Sequence, residues 1–162
     1  MKLDVESATW FYIMINKFMT LALEEAKKAY ALGEIPVGCV IVKQDEVIAS
    51  AHNLKETKKS ITAHAELLAI NLASNKLDNY HLDDCSIYVT LEPCPMCMSA
   101  IMQAHIKNVY FGAYEAQMGA GGSKINLFEY NFQNPRINVY GGVLEEESKT
   151  LLQSFFQELR KR

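Results

Sequence analysis

Apolar and polar positions along the chain switch repeatedly between helical and extended periods. From about Phe18 the apolar and small residues Leu21, Ala22, Ala26, Ala29 and Tyr30 recur at helical spacing, and Gly33 supplies a stop, which predicts a first helix. Residues 37–42 form an apolar run, 43–46 are polar and 47–51 are apolar again, the pattern of two strands joined by a tight connection. Thr62 is placed to cap a second helix over about 63–73, and residues 86–91 read as a strand that runs directly into Glu92-Pro93-Cys94-Pro95. Proline suits a helix's first turn, where its missing N–H costs nothing, so a third helix is predicted over about 94–104. A fourth strand at 108–111 leads to a loop holding Gly119, Gly121 and Gly122, a short apolar turn at 125–128, a fifth strand at 137–140 and the stop pair Gly141-Gly142. Leu151, Leu152, Phe155, Phe156 and Leu159 mark a last helix.

This order implies an α/β layer fold, a mixed sheet of five strands with right-handed βαβ crossovers and helices on both faces. It also has a functional consequence. The second and third helices each begin where a strand has just ended, so their N-termini open at one edge of the sheet and residues there converge.

A length of 162 residues is that of one average domain, with residues 16–162 forming a single core. Residues 1–15 lack a clear period and read as an N-terminal extension, either an over-called start ahead of Met14 or Met19 or an extra turn of helix. Hydrophobic residues make up 49% and charged residues 22%, too apolar for a disordered chain. No stretch approaches the roughly 20 apolar residues of a membrane span. The early run at 10–15 has neither a basic segment before it nor a small-residue cleavage site after it, so no signal peptide is expected and the expected location is cytoplasmic. A net charge of -3 argues against indiscriminate polyanion binding, while leaving room for a local basic patch.

Four cysteines are too few for a disulfide scaffold in a chain this long, and Cys94 and Cys97 form a CxxC pair. His64-Ala65-Glu66 opens the second helix and Pro93-Cys94-Pro95-Met96-Cys97 opens the third, so the topology brings them together. His64, Cys94 and Cys97 are three ligands of the kind zinc prefers, and three leave a fourth position open, where a bound water becomes hydroxide at neutral pH. Glu66 stands well around the helix from His64 and is better placed to carry protons than to ligate: from that water to a ring nitrogen and to a departing amine, as hydrolytic deamination requires. A thioredoxin-type dithiol would leave HxE unexplained. A closed structural zinc would need a fourth ligand, and Cys85 lies across a strand roughly 20 Å from Cys94. Cys39 reads as a core or pocket-wall residue, His105 as a helix C-terminal residue, His81 as part of a polar loop, and His52 as structural or solvent-facing.

HxE followed by PCxxC is the signature of the zinc-dependent nucleoside and nucleobase deaminases. Over nearly all of residues 17–162 the chain resembles the bacterial tRNA-specific adenosine deaminases. The stretches that carry the likeness are Glu34-Ile35-Pro36-Val37-Gly38, Ala51-His52-Asn53, Thr62-Ala63-His64-Ala65-Glu66, Tyr88-Val89-Thr90-Leu91-Glu92-Pro93-Cys94, Phe111-Gly112-Ala113, Gly119-Ala120-Gly121-Gly122-Ser123 and Gly142-Val143-Leu144 with Phe155-Phe156. The resemblance implies a three-layer α-β-α sandwich of the cytidine-deaminase type with one Zn2+ per subunit. It further implies a homodimer and a tRNA anticodon loop as partner, with the wobble adenosine of the arginine tRNA of anticodon ACG converted to inosine. Zinc-bound hydroxide would attack C6, with Glu66 as proton shuttle. By the match, Asn53 hydrogen-bonds the purine, Val37 lines the pocket and the Ala65 backbone N–H assists recognition. Glu115, Lys124, Phe156 and Arg160 are candidate RNA contacts, the last in the basic tail Arg160-Lys161-Arg162.

Four positions depart from the family pattern: Glu115 for Asp, Gln117 where Lys is common, Asn134-Pro135-Arg136 for an Asn-His-Arg stretch, and Ile61 where Pro is frequent. None is a proposed zinc ligand, so they bear on substrate choice and not on reaction class. Two other readings share part of this pattern. Deamination of a free guanine or cytosine-type base uses the same zinc chemistry, although cytidine deaminases present Cys in place of His64. A non-catalytic zinc-stabilised RNA-binding module would need neither Glu66 nor an open ligand position.

Overall fold

The computed structural model describes residues 4–130 and 137–162, and the Asn134-Pro135-Arg136 departure lies outside them. The chain begins with α1 (Val5–Ala31), followed by the hairpin β1 (Gly38–Lys43) and β2 (Glu46–His52). A single turn α2 (Lys55–Lys58) and helix α3 (Ala65–Leu77) precede β3 (Cys85–Leu91), α4 (Pro95–Gln103) and β4 (Asn108–Ala113). A 3₁₀ turn (Leu127–Glu129), β5 (Asn138–Tyr140) and α5 (Glu145–Arg160) complete it.

The five strands form one mixed sheet in the order β2-β1-β3-β4-β5. β1 is antiparallel to both β2 and β3, whereas β3, β4 and β5 are mutually parallel. β2, β3 and β4 therefore all end at one edge of the sheet, where β1 begins. The apolar run of β1 is central and buried on both faces, which is why it shows no alternation in the sequence. Cys39, Ile41, Ile87, Val89, Val109 and Phe111 face one core with the alanines of α3 and with Met98 and Ile101 of α4. Val40, Val42, Tyr88 and Tyr110 face the other with Phe18, Met19 and Ala22 of α1. These are the three layers, and Tyr88, Tyr110 and Tyr140 stack across neighbouring strands at 4.6 and 5.1 Å.

Two local readings change, and one short turn is added. The first helix starts at Val5 and not near Phe18, because the Asp4 carboxylate caps it by accepting from the Ser7 N–H at 2.8 Å. Its early turns show no period because Val5, Tyr12 and Ile13 are all exposed and no face is selected by burial. Thr62 does not cap the second long helix. His64 holds the N-cap in extended backbone, and the Thr62 hydroxyl meets that of Ser60 at 3.0 Å. The turn α2 carries no apolar period and is held from outside, since buried Glu34 accepts from the Thr57 N–H, the Thr57 hydroxyl and the Glu56 N–H. Gln44 and Asp45 make the hairpin's two-residue loop, both at positive φ, as a tight turn between twisted strands requires. Among the described residues, no helix is long and apolar enough to cross a membrane.

Gly38 sets how closely α1 lies on the sheet. A Cβ there would stand 2.0 Å from the Ala22 carbonyl oxygen and 2.4 Å from the Ala26 nitrogen, both backbone atoms that cannot step aside. Gly38→Ala is expected to force α1 off β1 and cost about 3 kcal/mol, at the upper end of overpacking penalties. Urea unfolding will register this as a lower midpoint with an unchanged slope.

Candidate active site

At the edge where β2, β3 and β4 end, two helices begin with sulfur or nitrogen donors at their caps. His64 is the N-cap of α3 and Cys94 the N-cap of α4, neither engaged in a side-chain capping bond, and Cys97 lies in the first turn of α4. Positive helix ends thus face the donors and favour negative charge there. His64 Nδ1 lies 3.5 Å from Cys97 Sγ and 3.9 Å from Cys94 Sγ, and the three donor atoms all fall within 4.8 Å of one another. A tetrahedral zinc with bonds of ~2.0–2.1 Å to nitrogen and ~2.3 Å to sulfur needs N···S separations of roughly 3.5 Å, so this donor set fits zinc.

The thiols share one proton. Hydrogen bonding from Cys97, with help from His64, holds Cys94 down to about 4, a thiolate at neutral pH. Cys97 moves the opposite way, raised far above the usual thiol range by its bond to Cys94 and by burial. Pairing with Cys94 also lifts the His64 imidazole above its ordinary value.

Glu66 sits in the first turn of α3, 4% exposed, and burial pushes its carboxyl up to about 7. A carboxyl of that strength can both accept and return a proton near neutrality. It faces a cleft of about 590 Å³ lined by the candidate ligands His64 and Cys94 and by apolar Ile35, Val37 and Leu91. Asn53 also lines the cleft. Its backbone N–H donates to the Val37 carbonyl, its Nδ2 approaches the Ile35 carbonyl at 3.4 Å, and its buried Oδ1 has no partner. An orphaned buried acceptor of this kind is costly unless something else supplies its hydrogen bond. Cys39 is fully buried beneath the site, its thiol raised well above normal by burial and by the nearby Glu66 and Glu25 carboxylates.

Glu92 plays a part that its sequence context did not suggest. It is buried between β3 and the zinc-ligand turn, and its carboxylate accepts from the N–H groups of Glu115, Gly121 and Ser123 and from the Ser123 hydroxyl. One side chain thereby ties the whole glycine-rich loop to the cleft. Gly119 is required for this wrap, since a Cβ there would stand 2.5 Å from the Glu92 carboxylate and 2.3 Å from the Glu115 carbonyl oxygen. The loop in turn places Glu115 and Met118 on the cleft's rim, with Ile61 opposite. In the sequence those donors lie 23 to 31 residues downstream, so only the place of Glu92 beside Pro93-Cys94 was legible.

Of the residues singled out from the sequence, His64, Cys94, Glu66, Asn53, Val37 and Glu115 line this cleft, and buried Cys97 closes it from behind. Ala65 is fully buried at the first position of α3. Lys124 is exposed beyond the rim, and Phe156 and Arg160 lie on α5 over the opposite face of the sheet, so none of the three lines the cleft. Phe155 is a core residue, edge-on to Tyr30. His52 pairs with buried Glu25 at 2.8 Å, a structural role.

Comparison with known proteins follows the same residues. The family description "cytidine and deoxycytidylate deaminase zinc-binding region" matches residues 14–113. A tRNA-specific adenosine deaminase of Bacillus subtilis (strain 168) is 45% identical over 145 residues, covering 90% of each chain. One of Aquifex aeolicus (strain VF5) is 44% identical over 143 residues, covering 88% of this chain and 94% of that one. A solved structure from studies of A-to-I editing by tRNA:A34 deaminases at the wobble position of transfer RNA superposes with a TM-score of 0.80 at 39% identity, covering 84% of this chain and 99% of that one. A guanine deaminase from Nitrosomonas europaea, 24% identical with a TM-score of 0.75, shares the fold.

Two outcomes follow from the geometry. Because Cys97 is raised far above the usual thiol range and holds a proton that a metal must displace, and His64 is also raised, zinc affinity will fall as pH drops, by roughly tenfold per pH unit for each proton released. Competition against a chromophoric chelator across pH will show this slope, with proton release on zinc addition. Glu92→Ala strips an acceptor from four donors and is expected to cost about 2–4 kcal/mol. Amide exchange should accelerate selectively over residues 115–123.

Proposed function

The chain belongs to the cytidine and deoxycytidylate deaminase family, and from that premise we propose that it converts the wobble adenosine of a tRNA anticodon to inosine. The substrate of choice is the arginine tRNA with anticodon ACG. The observation that carries this reading is the juxtaposition of a three-donor zinc site with a buried carboxyl, Glu66, in an apolar-walled cleft that also holds an unpartnered amide oxygen on Asn53. Zinc, when bound, supplies a Lewis acid that makes water nucleophilic at neutral pH.

The chain's own residues do the rest. Val37, Ile35 and Leu91 grip the plane of a flipped base and exclude bulk water. Asn53 offers its side-chain amide to the base's edge, and the first-turn N–H of Ala65, which has no acceptor within its own helix, steadies the reacting edge. Glu66 takes one proton of the attacking water on a carboxylate oxygen and passes it to N1 of adenine, then takes the remaining proton from the oxygen now bonded to C6 and delivers it to the C6 amine, which leaves as ammonia. A carboxyl balanced near 7 suits both halves of that cycle.

The rim faces RNA. Lys55 and Glu115 border the cleft and are the groups nearest a looped-out nucleotide, whereas Lys124 and the tail at Arg160 would meet more distant phosphates. Ile61 and Met118 at the rim and Leu72 on α3 are exposed, apolar surface of the kind a second copy covers, and the working unit proposed is a homodimer with one zinc per subunit. Its place of work is the cytoplasm, with tRNA.

Glu66→Ala is expected to bind a full complement of zinc yet lose at least ~10³-fold in inosine formation, the scale of an acid–base group. The test is zinc-loaded protein incubated with the arginine tRNA and, in parallel, with free adenosine, guanine and cytidine, reading inosine by sequencing and ammonia by assay. Conversion confined to the wobble position supports the proposal. Turnover of a free base with an unedited tRNA overturns the substrate, and an active Glu66→Ala overturns the mechanism.

A further inference from the structure

At the opposite edge of the sheet, across the ~20 Å length of β3, the structure assembles a second set of metal donors. The short loop before β3 presents His81 and Asp83, and the turn after α4 presents His105. His81 Nδ1 and His105 Nδ1 lie 3.1 Å apart, Asp83 Oδ1 lies 3.4 Å from His105 Nδ1, and all three donor atoms fall within 4.8 Å of one another. We propose that His81, Asp83 and His105 form a second site for a divalent transition ion of the zinc type, which fastens the 80–85 loop to the α4–β4 turn and takes no part in the deamination.

Two imidazoles and one carboxylate are the borderline donor set that zinc accepts, and donors ~2.0–2.1 Å from a tetrahedral ion stand roughly 3.3–3.4 Å from one another. The two His105 edges, 3.1 and 3.4 Å, stand close to that separation, and the third lies within 4.8 Å. Hydrogen bonding satisfies the cluster less well. His105 Nδ1 faces both His81 Nδ1 and the Asp83 carboxylate, but one neutral ring nitrogen offers either a single proton or a single lone pair. A cation at the meeting point satisfies three lone pairs at once.

The backbone around the cluster is already fixed. Leu82, between the two loop donors, is buried at 1% exposure, and its N–H donates to the Ala104 carbonyl at 2.7 Å, tying the loop to the turn one residue from His105. His105 is held at φ +62°, a conformation few side chains adopt, with its ring edge-on to that of His81 at 4.3 Å. Tyr80 lies against His81 at 4.5 Å. Pre-set donors on fixed backbone distinguish this arrangement from a chance meeting of mobile surface side chains. Asp83 is exposed, so an ion and a completing water can enter.

The test uses the full chain with its catalytic zinc in place, dialysed against low-micromolar zinc chloride slightly above neutral pH, with metal counted by mass spectrometry. Two zinc ions per chain are expected for the unaltered protein. One is expected for His105→Asn, which keeps a residue tolerant of the left-handed conformation, and for Asp83→Asn, each weakening the second site more than ~100-fold. Added zinc should raise the melting temperature of the unaltered protein and not of the variants, and all three should deaminate at the same rate. Cobalt replacement gives an independent readout: the first equivalent brings thiolate-to-metal absorption and the second adds none. A single zinc in the unaltered protein, two in the variants, or further thiolate absorption from the second cobalt overturns the proposal.

Discussion

Strand β1 runs antiparallel to both of its neighbours, so β2 and β3 point the same way and release the chain at the same edge of the sheet. β4, parallel to β3, ends there too. Everything chemical depends on that arrangement. Asn53 follows β2, His64 and Glu66 open α3, Cys94 and Cys97 open α4, Glu115 follows β4, and Val37 precedes β1. Residues up to 78 positions apart in sequence meet without any long loop because one strand is reversed. Gly38, at the start of that strand, lets α1 close over the sheet from the other side.

Buried carboxylates then divide the labour around the cleft. Glu34 is saturated with donors from α2, and its pKa is lowered because those bonds outweigh the cost of burial. Glu25 is likewise lowered, burial being outweighed by Lys28 and His52. Both are anchors. Glu92 is satisfied by four donors from one loop. Glu66 lacks such a cage, and burial therefore raises it, which separates the carboxylates that hold structure from the one proposed to move a proton.

The sheet strands and the meeting of His64, Cys94 and Cys97 were readable because their signals are local. Uninterrupted apolar runs mark central strands, and His64, Cys94 and Cys97 sit at helix starts that proline and strand endings reveal. Other features were hidden because they arise only on packing. The early turns of α1 have no period since nothing covers them, and α2 is held by Glu34, more than 20 residues before it. Thr62 has the residue type of a cap, but the chain enters α3 through His64, whose imidazole is turned toward the thiols. Glu92 was visible only as part of a motif, because its donors lie 23 to 31 residues downstream. His81 and His105 seemed ordinary loop and helix-end residues, since 24 positions separate them and they meet through the pairing of β3 with β4 and the Leu82 to Ala104 hydrogen bond.

The reaction proposed for this edge directs water at C6 of one tRNA adenosine. Running the reaction in heavy-oxygen water and analysing the nucleosides of the recovered tRNA by mass spectrometry tests it directly. One heavy oxygen is expected in the wobble inosine and none in any other nucleoside. Inosine without the label, or label at another position, would contradict it.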